Sequence, residues 1–276
     1  MKTKFRITAL VLSLICVSVL LAGSACKIGG NGDKGIKALS KEEAYDIYTS
    51  ALANVKEQDF RFKSVISQVA DNDIEGYGKV SSTSEQEVTA ETVRYLADDM
   101  VLRVVSTVKN VVMGSTQSTS NEVIINSDKI FVKNDGETSF TVISRADASA
   151  SYVNEMLTLG DATLTKDIFE NAVLVSNGDG SKSIKVHINT EQYLKVCKEQ
   201  IDTLIEGLGA SGLNVDSAEM DVEFRFDSKN RPLVVKSDGV VKISGTYMGV
   251  KLETTSTFKS DVDYYDYGNV TIPIPD

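Results

Sequence analysis

The residues of this chain that could perform acid–base or nucleophilic chemistry are few and far apart. The single histidine, His187, stands between Val186 and Ile188 in a segment with the alternating pattern of a strand. An imidazole acts as a general base only within hydrogen-bond reach of the group that it deprotonates. The sequence shows no Gly-x-Ser-x-Gly or Ser-x-x-Lys pairing with an activating partner. We therefore expect His187 to be structural or exposed, and we expect no enzymatic activity.

Acidic residues recur at two places where a cation could bind. Asp71, Asp73 and Glu75 alternate as in a calcium loop, but the other ligands of the EF-hand pattern are missing. A second group combines carboxylates with aromatic rings: Asp261, Asp263, Tyr264, Tyr265, Asp266 and Tyr267. This group could bind a cation or a sugar, but a charged edge strand that resists pairing is the favoured interpretation. Because the usual zinc ligand sets are also absent, we expect no metal and no cofactor.

The most specific chemical signal is a cysteine near the N-terminus. Three positive residues precede an apolar run, residues 7–22, and small residues then lead into Cys26. This order is typical of a secretory signal, which is removed from the mature protein. The segment Leu21–Cys26 resembles the lipobox of bacterial lipoproteins, although Gly23 stands where that motif usually has Leu.

A lipobox implies a lipid on Cys26 and an anchor at the extracytoplasmic face of the bacterial cell membrane. Residues 1–25 would then be the signal peptide; the alternative is an ordinary secretory signal followed by a chance cysteine. Cys16 would leave with the signal, so Cys197 would be a lone thiol with no disulfide partner. Loss of the signal takes the net charge from −10 to −13, which disfavours nucleic acid as a partner.

The mature chain divides into a short tether and one predicted domain. Residues 26–38 are rich in Gly, Lys, Asp and Asn, which is typical of a flexible linker. Residues 39–276 form the predicted domain. Its start is marked by Ser40 and Glu43, which have the spacing of a capping box, and the apolar residues that follow predict a helix.

Most of the domain has the period-two pattern of antiparallel strands. The stretch from Phe60 to Ile143 is broken by turn signals at Asn72-Asp73, Met113-Gly114 and Asn134–Gly136. A helical region separates this meander from three C-terminal strands, whose first turn is Asp227–Pro232. The predicted helices have caps at Thr165 and Thr190 and apolar residues at Tyr152, Met156, Leu157, Ile168, Phe169, Leu194, Cys197, Ile201, Leu204, Ile205 and Leu208.

One face of the predicted sheet is apolar and needs a cover. The residues that define this face are Phe60, Phe62, Ile66, Met220, Val222, Phe224 and Phe226. We predict that they bind an apolar ligand such as a lipid, in a cavity between the sheet and the helices. The alternative is a surface protein whose core is filled by the helices and which binds another protein or an envelope component.

The layout of the mature chain resembles that of LolA-like lipoproteins, in particular surface lipoproteins of Gram-positive bacteria. The resemblance lies in the helix from Ser40 to Val55 that runs into Asp59–Phe62, in the turn Phe226–Leu233 and in the end Tyr264–Pro273. It implies an α+β fold in which a curved antiparallel sheet, a half-open barrel, is covered on its concave face by several helices. It also implies a cavity, which carries lipids or lipoproteins in better-known relatives, and it brings no catalytic residues.

Overall fold

The computed structural model describes residues 36–147, 166–196, 211–247 and 250–275. In chain order they form β1 (Ile36–Ala38), α1 (Lys41–Ala53), β2 (Phe60–Ile74), β3 (Gly78–Val93), β4 (Val101–Val112), β5 (Ser115–Ile125), β6 (Lys129–Lys133), β7 (Thr141–Ser144), a 3₁₀ helix (Lys166–Phe169), β8 (Val173–Ser176), β9 (Lys182–Ile188), α2 (Thr190–Val196), β10 (Ser211–Phe226), β11 (Pro232–Tyr247) and β12 (Val250–Tyr265). All twelve strands belong to one sheet with the order β1-β8-β9-β10-β11-β12-β2-β3-β4-β5-β6-β7. Every pair of neighbouring strands in this sheet is antiparallel.

The predicted α+β fold with a cover of several helices is wrong. Within the described ranges only α1, α2 and the 3₁₀ helix are helical, and all three pack in one apolar cluster with β9 and β10. A second apolar cluster, on β2 to β6, is completed by the loop side chains Val55, Tyr95 and Met100. The sheet is also not closed, since β1 and β7 form its two edges. The fold is therefore a mostly-β open sheet, in which large loop side chains do part of the covering predicted for helices.

The C-terminal strand lies inside the sheet, which corrects the prediction of an acidic edge strand. β12 pairs with β11 on one side and with β2 on the other, from Leu252 opposite Ile74 to Tyr265 opposite Arg61. This pairing joins the N-terminal meander to the C-terminal strands. The edge strands β1 and β7 have three and four residues, and such short edges offer little backbone for pairing with another sheet.

The predicted capping box and the start of α1 are confirmed. Ser40 Oγ accepts a hydrogen bond from the amide of Glu43 at 3.1 Å, and Glu43 Oε2 accepts one from the amide of Ser40 at 2.9 Å. Ala44, Tyr48 and Ala51 follow at intervals of four and three residues and are buried. This spacing puts the three side chains on one helical face, which packs against the sheet.

Three of the four predicted turns are confirmed and one is wrong. At Asn134–Gly136 the amide of Glu137 donates to the carbonyl oxygen of Asn134 at 3.1 Å. Met113 and Gly114 both have positive φ, 51° and 77°, as a two-residue hairpin loop with a type I′ turn requires. In the turn after β10, Asp227 Oδ1 accepts from the amide of Arg231 at 2.8 Å. Asn72-Asp73 lies within β2, and the chain turns only after Ile74, because the register with β3 continues without a break to the end of the strand.

Two of the remaining sequence predictions need correction, and the others fall outside the described residues. α2 begins at Thr190, but its cap is Asn189, whose Oδ1 accepts from the amide of Gln192 at 3.1 Å. Residues 36–38 of the predicted tether form β1 and pair with β8. The predicted helix at Tyr152, Met156 and Leu157, the cap at Thr165, the helical positions from Cys197 to Leu208 and the cysteine at position 26 lie outside the described residues.

The two faces of the sheet differ in charge. We call the face that contacts α1 the inner face; in β2, β3, β4 and β12 it carries the even-numbered residues, and in β5 and β11 the odd-numbered ones from Ser115 and Val235 onwards. The inner positions of these six strands contain no Asp, Glu, Lys, Arg or His. All the charged residues of these strands, such as Arg61, Glu91 and Lys259, stand at outer positions. The inner face of these six strands is therefore electrically neutral.

Candidate functional site

The structure divides the predicted ligand residues between two apolar clusters. Phe60 and Phe62 lie in the cluster on β2 to β6. Met220, Val222, Phe224 and Phe226 lie in the cluster under α1 and the 3₁₀ helix, with Ile66 packed at its margin. In these clusters the seven side chains pack against other side chains of the protein. Their role as ligand contacts stays a prediction.

Aromatic stacking shows how closely these clusters are packed. The ring of Phe224 lies 5.2 Å from that of Tyr48 and 5.4 Å from that of Phe169. In the other cluster, the ring of Phe60 lies 5.2 Å from that of Tyr95. These are the separations at which aromatic pairs attract one another. The two ends of the inner face are therefore built as ordinary core.

Between the two clusters the inner face becomes polar. We call this region the polar patch; its members are Gln68, Ser84, Asn110, Ser237, Ser256 and Ser260. Gln68 is 2 % exposed, and Ser237 and Ser260 are 0 % exposed. A buried polar group normally has a hydrogen-bond partner, because an unpaired one costs about 1–3 kcal/mol.

Four atoms of the polar patch lack that partner among the described residues: Gln68 Oε1, Asn110 Oδ1, Ser237 Oγ and Ser260 Oγ. Other polar groups nearby are paired. Gln68 Nε2 donates to Ser256 Oγ at 2.5 Å, and Thr254 Oγ1 donates to Asn72 Oδ1 at 2.9 Å. These four atoms lie at inner positions of β2, β4, β11 and β12.

Strand register places three of these residues, Gln68, Ser237 and Ser260, on neighbouring strands. Ser237 on β11 is opposite Ser260 on β12, and Ser260 is in turn opposite Ile66 on β2. Directly opposite residues have Cβ atoms about 5 Å apart, and diagonal neighbours lie about 7–8 Å apart. Gln68 is opposite Phe258 and is therefore the diagonal neighbour of Ser260. Residues from three strands meet here at one place.

A glycine opposite Phe258 shapes the border of the polar patch. A Cβ on Gly239 would lie 2.8 Å from the carbonyl oxygen of Glu219 and 2.8 Å from Cζ of Phe258. Because such approaches are closer than side chains tolerate, only glycine lets the Phe258 ring extend across β11. The ring forms an apolar wall beside Gln68 and Ser260.

Sequence reasoning missed the polar patch, although a signal was present. In β2 the positions in phase with Phe60 and Phe62 include Gln68 and Asn72, so the face assigned as apolar turns polar halfway along the strand. Ser256 and Ser260 do the same in β12. Polar residues in phase with a buried face would have indicated a specialised interior.

The charged candidates lie elsewhere, on the outer face. His187 Nδ1 lies 2.7 Å from Asp221 Oδ1, and its Nε2 lies 2.9 Å from Glu219 Oε2. The hydrogen bond to Asp221, together with both negative charges, raises the pKa of His187. Asp71 and Asp73 are exposed on the outer face of β2. Among the described residues, no three His, Cys, Asp or Glu side chains are arranged to hold a metal ion.

The C-terminal acidic and aromatic group is occupied by contacts within the protein. Asp266 pairs with Arg61 at 2.8 Å, and Asp261 lies 3.4 Å from the ammonium of Lys236. Tyr267 donates its hydroxyl to the carbonyl oxygen of Pro232 at 2.6 Å, and burial raises the pKa of this tyrosine. These contacts attach the C-terminal segment to the sheet.

A charge ladder crosses the outer face of β2 to β5. Glu91 accepts from Arg61 at 2.8 Å and from Arg103 at 2.9 Å, and Arg103 also reaches Glu122 at 2.7 Å. Burial alone would raise the pKa of Glu91, but the two guanidinium groups outweigh it and the pKa is lowered. A pocket of about 320 Å³ lies over this ladder, and its arginines already have carboxylate partners.

A second pocket, of about 380 Å³, is lined by Asp46, Ile47, Ser50, Leu174, Lys182 and Asn230. Neither of these two pockets, as far as the described residues define them, is lined by a predicted ligand residue or by a member of the polar patch.

No helix among the described residues has the length and apolar character needed to span a membrane.

Comparison with known proteins gives weak likenesses only. No protein-family model and no curated protein sequence matches the chain. Solved structures similar to it include a LolA superfamily protein from Nitrosomonas europaea, with 10% identity, a TM-score of 0.19, and coverage of 86% of this chain and 96% of that one. DynF from the dynemicin biosynthesis pathway of Micromonospora chersina aligns with 8% identity, a TM-score of 0.20, and coverage of 87% and 90%. A beta-barrel-like protein of a domain of unknown function from Brucella abortus aligns with 10% identity, a TM-score of 0.17, and coverage of 76% and 99%. At TM-scores this low the likenesses carry no argument about function, and the LolA-like family stays a prediction.

Proposed function

We propose that this chain is a non-catalytic binding protein, held by a lipid on Cys26 at the extracytoplasmic face of the cell membrane, whose inner face binds an amphipathic small molecule. The observation that carries the proposal is the polar patch. Three polar atoms without a partner among the described residues, on Gln68, Ser237 and Ser260, lie on neighbouring strands of a neutral stretch of the inner face, and apolar clusters flank them on both sides. A ligand with an apolar body and a polar end complements that arrangement.

Ligand binding is tested on the mature protein purified from its native membrane. Native mass spectrometry before and after extraction with organic solvent should show loss of a bound small molecule, and the extracted protein should take up a fluorescent monoacylglycerol. A single mass before and after extraction, together with no uptake of the probe, would contradict the proposal.

A second candidate is a surface protein with a filled interior that binds another protein or an envelope component. The observation in its favour is the close packing of Phe60 and Phe224 against protein side chains. It predicts that the native mass equals the lipidated chain alone, which the same experiment measures.

The anchor has a separate test. Metabolic labelling with clickable palmitate should mark the wild-type protein, while Cys26→Ala should abolish the label and release the protein into the medium. Cys197→Ala is the matched control and should keep both the label and the membrane location. A label that persists in Cys26→Ala would show that the lipid is elsewhere.

A further inference from the structure

We propose that Gln68, Ser237 and Ser260 form a subsite for the uncharged hydrogen-bonding end of the ligand, a hydroxyl or amide as in a monoacylglycerol, and that the subsite discriminates against carboxylate and phosphate. The inference rests on the proposed function and specifies the chemistry of its ligand. It starts from the three buried side chains, whose free atoms face the interior from β2, β11 and β12.

The unpaired atoms define what the ligand must offer. Gln68 Oε1 is an amide oxygen and can only accept, so the ligand needs a donor. The hydroxyls of Ser237 and Ser260 can each donate or accept, so they suit a second polar atom of the ligand. A group with both an O–H or N–H donor and an acceptor oxygen satisfies all three residues.

The neutral inner face of the strands around the subsite disfavours a charged end. A buried carboxylate or phosphate needs a cation or several strong donors to offset its loss of hydration. The inner positions of β2, β3, β4, β5, β11 and β12 carry no Lys, Arg or His. An ammonium group would equally lack a carboxylate there. A hydroxyl or amide has a much smaller desolvation cost, which the free acceptor and the two serine hydroxyls can offset.

The apolar surroundings account for the rest of the ligand. Ile66 is opposite Ser260, and Phe258 is opposite Gln68, so aliphatic and aromatic surface adjoins the polar atoms. On the inner face, Ile66 of β2 is opposite Gln86 of β3, and Gln86 is opposite Val108 of β4. The three residues form one row across these strands. An acyl chain extending from the subsite along this row would contact Ile66 and Val108 across the side chain of Gln86.

The test compares two probes that share a chain and differ in the polar end: monooleoylglycerol, and oleate at a pH where it is ionised. Affinities are measured for delipidated mature protein by displacement of a fluorescent probe. We expect wild type to bind monooleoylglycerol at least about tenfold more tightly than oleate. The double variant Ser237→Ala/Ser260→Ala should lose about tenfold for monooleoylglycerol, the scale of one or two lost hydrogen bonds, and should bind oleate as before.

The control is Ser183→Ala on the outer face of β9. Ser183 is also 0 % exposed, but its hydroxyl already donates to Glu223 Oε1 at 2.6 Å. This variant should leave both affinities unchanged. The midpoint of urea unfolding is measured for every variant, and the single variant Ser260→Ala replaces the double one if that fails to fold.

The outcomes separate the two proposals. If neither probe binds wild type, the proposed function itself is contradicted. If both probes bind equally, or if the double variant keeps its affinity for monooleoylglycerol, binding stands but the subsite is wrong, and ordered water alone satisfies Gln68, Ser237 and Ser260. Preference for the neutral probe that disappears in the double variant supports the subsite.

Discussion

At the β9–β10 end of the inner face, Phe224 is enclosed by the rings of Tyr48 and Phe169. At the centre, Ser237 and Ser260 are equally buried, but their hydroxyls have no partner among the residues that the structure describes. Burial is nearly complete in both regions. The first region gains stability from burial because apolar surface leaves water and fits its neighbours. The second region loses stability, because its polar atoms lose water and gain nothing in the described protein. The contrast teaches that one continuous face combines a structural core with buried polar atoms that have no partner among the described residues, and it is at these atoms that we propose a bound group.

The sharpest test of the structural region is Phe224→Ala. It should reduce the free energy of unfolding by about 3–5 kcal/mol, because it leaves a cavity under α1. Urea unfolding measures the loss. Val240→Ala is the control on the outer face, where the side chain is exposed, and it should change stability by no more than about 0.5 kcal/mol. A loss under about 1 kcal/mol for Phe224→Ala would mean that this end is not packed as core.

The border between the two regions is tested by Gly239→Ala. The new methyl group would overlap the carbonyl oxygen of Glu219 and the Phe258 ring, so we expect a loss of about 1–3 kcal/mol, the range found for overpacked cores. Thermal unfolding is the measurement. Gly178→Ala, where a Cβ meets nothing within 4 Å, should be nearly neutral. Equal stabilities for the two variants would show that Phe258 can move aside.

Two conservative changes contrast a paired hydroxyl with an unpaired one. Thr254→Val removes a donor to Asn72 Oδ1 and should cost about 1 kcal/mol, because that oxygen is left buried and unpaired. Ser260→Ala removes a hydroxyl without a described partner and should leave the stability of delipidated protein unchanged or slightly higher. Urea midpoints decide between them. A loss for Ser260→Ala as large as that for Thr254→Val would show that its hydroxyl is paired after all.

The smallest expected change in the free energy of unfolding is on the outer face, and it depends on the protonation of His187. The pKa of His187 is raised in the folded protein, so its contribution is fully present below the unfolded pKa of about 6.5. The contribution is lost as pH rises through the folded pKa. His187→Asn should therefore lose roughly 0.5 kcal/mol at pH 5, a value typical of exposed ion pairs, and nothing at pH 9. A loss that is the same at both pH values would contradict the ion pair with Asp221 and Glu219.

Part of the site could be predicted from the sequence, because strand alternation is a local pattern. Period-two alternation assigned Phe60, Met220 and Phe224 to a buried face, and the structure places all three there. The same alternation puts Gln68 on that face. Gln68 was not predicted as a site residue, because the face was identified from its apolar residues alone. The number of helices in the cover was misjudged for a related reason: the sequence shows which face needs covering and leaves open whether helices or loop side chains such as Tyr95 provide it.

By itself the sequence determined many of the elements and their faces. The capping box at Ser40, the hairpin at Met113-Gly114 and the segregation of charge to one side of β2, β3, β4, β5, β11 and β12 are all set by residues within a few positions of one another. Only the tertiary structure decided that β12 lies between β11 and β2. That pairing brings Gln68, Ser237 and Ser260 together across more than half of the chain. Alternation fixes the side to which a residue points, whereas the choice of neighbouring strand depends on which long-range pairing buries the most surface, and local pattern does not encode it.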